Sequence, residues 1–157
     1  MRHAGQRPSV RRPSVVSSTA DSVGSRMRLT LGPRTYDLST RALVVGLGDE
    51  ADVVELAEVP GPGLVRLRDP TPDSLERCAA LGAAVVVPPE HVDGARVAGL
   101  PPDRIVPDTL LLDVTGLACP VAATAVGVIR GARIVHTADV RGARRICDVL
   151  AAVMEAR

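Results

Sequence analysis

One recurring pattern constrains this chain more than any other. From residue 28 onward a short aliphatic run is followed by a break rich in glycine, proline or acid, and then by a stretch of helical character. The expected strands are Ala42 to Leu47, Leu64 to Arg68, Ala83 to Val87, the interrupted pair Arg104 to Val106 and Leu110 to Asp113, and Ala132 to His136. The expected helices are Asp49 to Val59, Asp73 to Leu81, Glu90 to Ala98, Pro120 to Arg130 and Asp139 to Ala156, with Asp49 and Asp73 as N-caps and Gly82 closing the second. Residues 28–31 and 35–38 flank Gly32-Pro33-Arg34 and form a β-hairpin. Continuous aliphatic runs mark strands covered on both faces, so the class is α/β, repeated strand-helix units with a mainly parallel sheet. Five such units fall short of the roughly 200 residues of an eight-unit barrel. A doubly wound sheet or a truncated TIM barrel remains.

Composition narrows the chemistry. The chain has no Phe, no Trp and a single tyrosine, Tyr36, so the core is aliphatic and stacking platforms for single-stranded nucleic acid are missing. All 19 basic residues are Arg and there is no Asn, which excludes a lysine Schiff base and a P-loop lysine. Residues 1–27 carry net +4 and the remainder net −3, a sign that argues against a nucleic-acid partner for the folded part. We expect 1–27 to be a disordered basic leader, with Pro8 and Pro13 breaking any amphipathic helix and Met27 a candidate start, and 28–157 to be one α/β domain. No apolar run reaches the ~18 residues of a membrane span and no secretory segment is present, so a cytoplasmic protein without a membrane partner is expected.

Cys78, Cys119 and Cys147 are odd in number and unpaired in spacing, so neither a disulfide framework nor a metal site is expected, and no cofactor is implied. Cys78 and Cys147 read as small buried hydrophobes, and Cys119 as a turn residue entering a helix. Gly46-Leu47-Gly48 lacks the third glycine of a dinucleotide loop, and Asp49 and Glu50 beside it repel a pyrophosphate. The ends of parallel strands are where function gathers. Asp69, Asp73, Asp108 and Asp113 lie in or beside such ends; a carboxylate there accepts a pair of N–H donors from a planar heterocycle, while its ordinary role is to cap or brace a turn. Asp113, closing a leucine run, is expected to be partly buried. His136 ends the last strand, ahead of Asp139, and Arg141, Arg144 and Arg145 follow at helical spacing.

Residues 121–140, Val-Ala-Ala-Thr-Ala-Val-Gly-Val-Ile-Arg-Gly-Ala-Arg-Ile-Val-His-Thr-Ala-Asp-Val, resemble the closing segment of the dihydropteroate synthases, the pterin-binding barrel enzymes of folate synthesis. Leu100 to Val106 is similar to the segment before that family's Asp-Pro-Gly loop, and the hairpin and first strand are similar to its opening. Asp69 to Val85 looks like the family's later Asp-Thr strand end, helix and Gly-Ala-Asp strand; Thr71-Pro72-Asp73-Ser74 also reproduces part of its Thr-Pro-Asp-Ser loop, out of order. The departures are equally plain. His136 stands where the family has Arg, Ala138 where it has His, and the family's lysine and asparagines have no counterpart.

The resemblance implies a shortened pterin-binding protein of folate metabolism in which the synthase reaction is lost. It implies a pterin or pterin diphosphate as ligand, with Asp69, Asp108, Asp113, His136, Asp139 and Arg141 as candidate binding residues and no catalytic residue assigned. The alternatives are a non-catalytic partner or regulatory subunit, as a homodimer or docked on a full-length synthase, and an enzyme completed by a partner's residues.

Overall fold

The structure, a computed structural model, describes residues 26–157; all but the last two residues of the expected leader lie outside it. It opens with the hairpin β1 (Arg28–Leu31) and β2 (Arg34–Asp37). Seven short parallel strands follow: β3 (Leu43–Val45), β4 (Leu56–Ala57), β5 (Leu64–Arg66), β6 (Ala84–Val87), β7 (Ile105–Pro107), β8 (Leu111–Asp113) and β9 (Ile134–His136). The helices are α1 (Pro72–Ala80), α2 (Val92–Val97), α3 (Pro120–Ile129) and α4 (Val140–Glu155). Among the described residues no helix is long and apolar enough to cross a membrane.

The strands form two parallel sheets, β3-β9-β8 and β4-β5-β6-β7. They face each other across a central core of Leu43, Val45, Leu64, Ala84, Val86, Val106 and Ile134. Alternate residues of the same strands point outward. Val65, Val85 and Val87 pack with α1 and α2 residues such as Leu75, Cys78 and Ala95, while Val44 and Val135 pack with Val128, Ala143 and Cys147 of α3 and α4. The result is an incomplete α/β barrel and not one continuous doubly wound sheet. A single bridge between Val45 and Val53 links the sheets on one side. On the other, β7 and β8 are joined by one 3-10 turn, Asp108–Leu110, and share no ladder.

The hairpin is the floor of this barrel. Leu29 and Leu38 are buried in the central core, and Thr30 Oγ1 donates to Asp103 in the turn leading into β7 at 2.6 Å.

Two local expectations are corrected. Asp49 to Val59 is not a helix capped by Asp49; it is a loop carrying the Val53 bridge and the short strand β4. Asp52 fixes it, accepting from Val44 N and pairing with Arg41 and Arg144, long-range contacts that outweigh local propensity. The N-cap of α1 is Thr71, not Asp73: Thr71 and Ser74 form a reciprocal capping box, with Pro72 at the first helical position and Asp73 in the first turn.

Candidate functional site at the barrel mouth

Period-two alternation decides which charged residues enter the barrel. Arg66 lies two positions after the core residue Leu64, Asp113 two after Leu111 and His136 two after Ile134, so all three face the interior where their strands end. Asp113 and His136 are direct partners in the β8–β9 register. Asp113 Oδ2 stands 3.5 Å from His136 Nδ1 and 3.9 Å from Arg66 Nη1.

Asp113 is held by its own loop. Its Oδ1 accepts from Thr115 N at 3.1 Å and from Thr115 Oγ1 at 2.7 Å. Partial burial pushes its pKa up, but these two hydrogen bonds and the nearby His136 outweigh burial and hold the carboxyl below the ordinary carboxylate range. Oδ2 is left facing the interior. His136 Nδ1 is buried and makes no hydrogen bond, an unsatisfied polar atom beside an under-used carboxylate oxygen. Together they form a polar pair at the mouth, with Arg66 beside it.

Two cavities open here. One, about 410 Å³, is walled by Leu47, Val54 and Leu56, with His136, Thr115, Thr137 and the Glu55 carboxylate supplying the polar edge. The other, about 350 Å³, lies between the loop after β3 and the start of α4 and contains Asp49, Glu50, Asp139 and Arg141; Leu47 and Ala138 border both. Gly46, at the end of β3, approaches the α4 junction so closely that a methyl group there would overlap the Thr137 carbonyl oxygen and Val140. That contact, not a phosphate, explains the first glycine of Gly46-Leu47-Gly48.

The six candidate residues separate accordingly. Asp113 and His136 are brought together. Asp139 is the N-cap of α4, its Oδ1 accepting from Gly142 N at 2.9 Å, and Arg141 Nε pairs with Glu50 Oε1 at 3.1 Å. Asp69 lines a smaller cavity of about 220 Å³ shared with Arg66, Arg68 and Glu58. Asp108 begins the turn between β7 and β8. Among the described residues neither Asp69 nor Asp108 makes a side-chain hydrogen bond or ion pair. Arg66 is the residue that sequence reasoning missed, although an arginine two positions after an inward leucine was a visible signal. Cys119 is the exposed N-cap residue of α3, whereas Cys78 and Cys147 are buried. Among the described residues no three His, Cys, Asp or Glu side chains are grouped so as to hold a metal.

Away from the mouth, Asp52 is the most buried member of the ion pairs among the described residues. Its carboxylate accepts from Val44 N at 2.8 Å and pairs with Arg41 and Arg144, and both arginines also reach Asp148. Burial raises its pKa, and the Val44 amide and the two guanidinium groups more than offset this, leaving the carboxyl below its usual range. Tyr36 donates to the Asp52 carbonyl at 3.1 Å, so the hairpin, the loop after β3 and α4 are tied at one point.

No protein-family model matches the chain, and neither does any curated protein. Among solved structures it is similar to a dihydropteroate synthetase crystallised with product, with a TM-score of 0.63 and 15% identity, over 85% of this chain and 100% of that one. At that identity the likeness is one of fold. The chain is a mixed α/β protein with parallel sheets in the manner of a TIM-barrel enzyme, shortened and unclosed, and distantly similar in fold to a dihydropteroate synthetase.

Proposed function

We propose that this chain is a cytoplasmic, dihydropteroate-synthase-like protein of folate metabolism that binds a pterin and has lost the synthase reaction. The observation that carries this reading is the inward-facing group Arg66, Asp113 and His136 at the strand ends of a barrel whose fold is like that of a dihydropteroate synthetase. Asp113 Oδ1 is taken by Thr115, but Oδ2 accepts no hydrogen bond from the described residues and is turned inward, so it can take one charge-assisted N–H donor of an amino-pyrimidine edge, and Leu47, Val54 and Leu56 in the cavity beside His136 suit a flat ring. The synthase reaction expels diphosphate, a step whose barrier falls when cations stabilise the leaving group. Here there is no lysine, Arg66 faces Asp113, and Arg141 is paired with Glu50. The test is calorimetric titration with a pterin, repeated on Asp113→Asn, beside a synthase assay. Binding lost in Asp113→Asn, together with no turnover, is the expected result; no heat from the pterin would sink the reading.

A second reading, a partner subunit, is favoured by one surface. Helix α3 has no charged residue, and Val126 and Ile129 are exposed on it; Val149 and Val153 are exposed on α4, the helix packed against it. A helix apolar on all sides is ordinarily covered. A second copy of the chain is the occupant we propose. Sedimentation of the full chain is then expected to give a dimer mass, and Ile129→Glu a monomer; a monomer in the parent chain would exclude it.

A further inference from the structure

The pterin reading, on which this inference rests, leaves the second mouth cavity without a role, and its charge is opposite to what a phosphate requires. That cavity adjoins the His136 cavity through Leu47 and Ala138, so a substituent on a ring seated beside His136 would extend into it. The first turn of a long helix such as α4 is a natural anion site, with free amides and the positive end of the dipole. In this chain a carboxylate of its own already stands at the position. The Asp139 carboxylate caps the helix through Gly142 N at 2.9 Å, and the Asp139 amide is itself spent on Thr137 Oγ1 at 3.0 Å. Asp49 and Glu50 add two more carboxylates from the loop after β3. Arg141, the single cation lining the cavity among the described residues, is bound to Glu50 at 3.1 Å.

We infer that the mouth discriminates by charge. It takes the unphosphorylated heterocycle and rejects the phosphate ester, with Asp49 and Glu50 as the specificity-determining residues and Asp139 as the internal substitute for the anion. A diphosphate placed there meets three carboxylates against one paired guanidinium, and uncompensated like charge at close quarters weakens binding by an order of magnitude or more. The unphosphorylated ring, seated between His136 and the aliphatic wall, has one lining carboxylate beside it, Glu55, and carries no phosphate charge for that carboxylate to repel.

The test is calorimetry on the full chain with a hydroxymethyl pterin and with its diphosphate ester, at low and high salt, on the parent and on Asp49→Asn/Glu50→Gln. Both residues are exposed on a loop, so the variant is expected to keep the fold. We expect the diphosphate to bind at least about tenfold more weakly at low salt, the gap to shrink at high salt, and the variant to narrow it about threefold or more without changing affinity for the unphosphorylated pterin. A diphosphate that binds as tightly as the parent pterin would overturn the inference and leave the pterin reading standing. So would a gap that neither salt nor the variant changes, because its cause would then not be this charge. Failure of both ligands to bind would remove the pterin reading and the inference with it.

Discussion

The Asp113 carboxylate and the His136 imidazole occupy register-paired positions on neighbouring strands, Oδ2 to Nδ1 3.5 Å, and both point into the barrel where the strands end. Because the Asp113 pKa is lowered in the folded chain, its charged form contributes stability above the ordinary carboxylate value, and that contribution is lost as pH falls through the lower folded value. Asp113→Asn is therefore expected to change stability near neutrality by less than about 1 kcal/mol, since the side chain is about a third exposed, and to unfold in acid with a shallower pH dependence below about pH 4. Urea titrations at a series of acid pH values check this. Superimposable curves for parent and variant would refute it.

Asp52 predicts a sharper contrast. Asp52→Asn leaves two partly buried arginines under-compensated, and we expect a loss of about 2–4 kcal/mol. Asp148→Asn, which touches the same arginines from a side chain 54% exposed, is expected to cost less than about 1 kcal/mol. Denaturant midpoints at neutral pH measure both. Equal losses would mean that burial is not what makes Asp52 matter.

Three glycines rank by what an added methyl would meet. Gly46→Ala is expected to cost about 2 kcal/mol or more, because backbone at Thr137 blocks it. Gly127→Ala meets only the movable end of Leu112 and is expected to cost about 1 kcal/mol, and Gly61→Ala is expected to be close to neutral. Melting temperatures of the three variants give the order directly. A tolerated Gly46→Ala would show that the junction of β3 with α4 is looser than described.

The cysteines divide by exposure. Cys119 is expected to be alkylated in the native chain while Cys78 and Cys147 react only after unfolding, which mass spectrometry of the labelled protein resolves. Burial pushes the Cys147 thiol up to about 11. Its native, protonated state is fully favourable below the unfolded thiol value near ~8.5, and that advantage is lost as pH rises toward the folded value. Stability is expected to fall by on the order of 2 kcal/mol across that window and to fall less in Cys147→Ala. An identical alkaline slope in the two proteins would reject the assignment.

The repeating class of the fold was legible because it rests on local periodicity: the hairpin, β5 to α1, β6, α3, β9 and α4 all follow from aliphatic runs and the breaks between them. The loop after β3 was not legible. Asp52 fixes it through Arg41 and Arg144, which lie 11 residues before it and 92 after it, and nothing local in Asp49 to Val59 announces those partners. Thr71 was overlooked as a cap because its reciprocal partner is Ser74, where a Glu or Gln is the usual signal. At the mouth, strand-end position singled out Asp113 and His136. Arg66 needed one further step, counting inward and outward residues from Leu64.

Strand β9 is nearly the last element of the chain and yet the central strand of its sheet, flanked by β3 and β8. Leu43 and Ile134, 91 residues apart, are register partners. On the ribosome, then, β3 emerges early and has no ladder partner until almost the whole domain has been made, and β8 must wait with it. The four-stranded half from β4 to β7 can assemble in order of synthesis, but the half that carries Asp113 and His136 forms only when the final two elements arrive. Synthesis that stops before residue 134 yields a chain with the hairpin, one parallel sheet and no polar pair at its mouth.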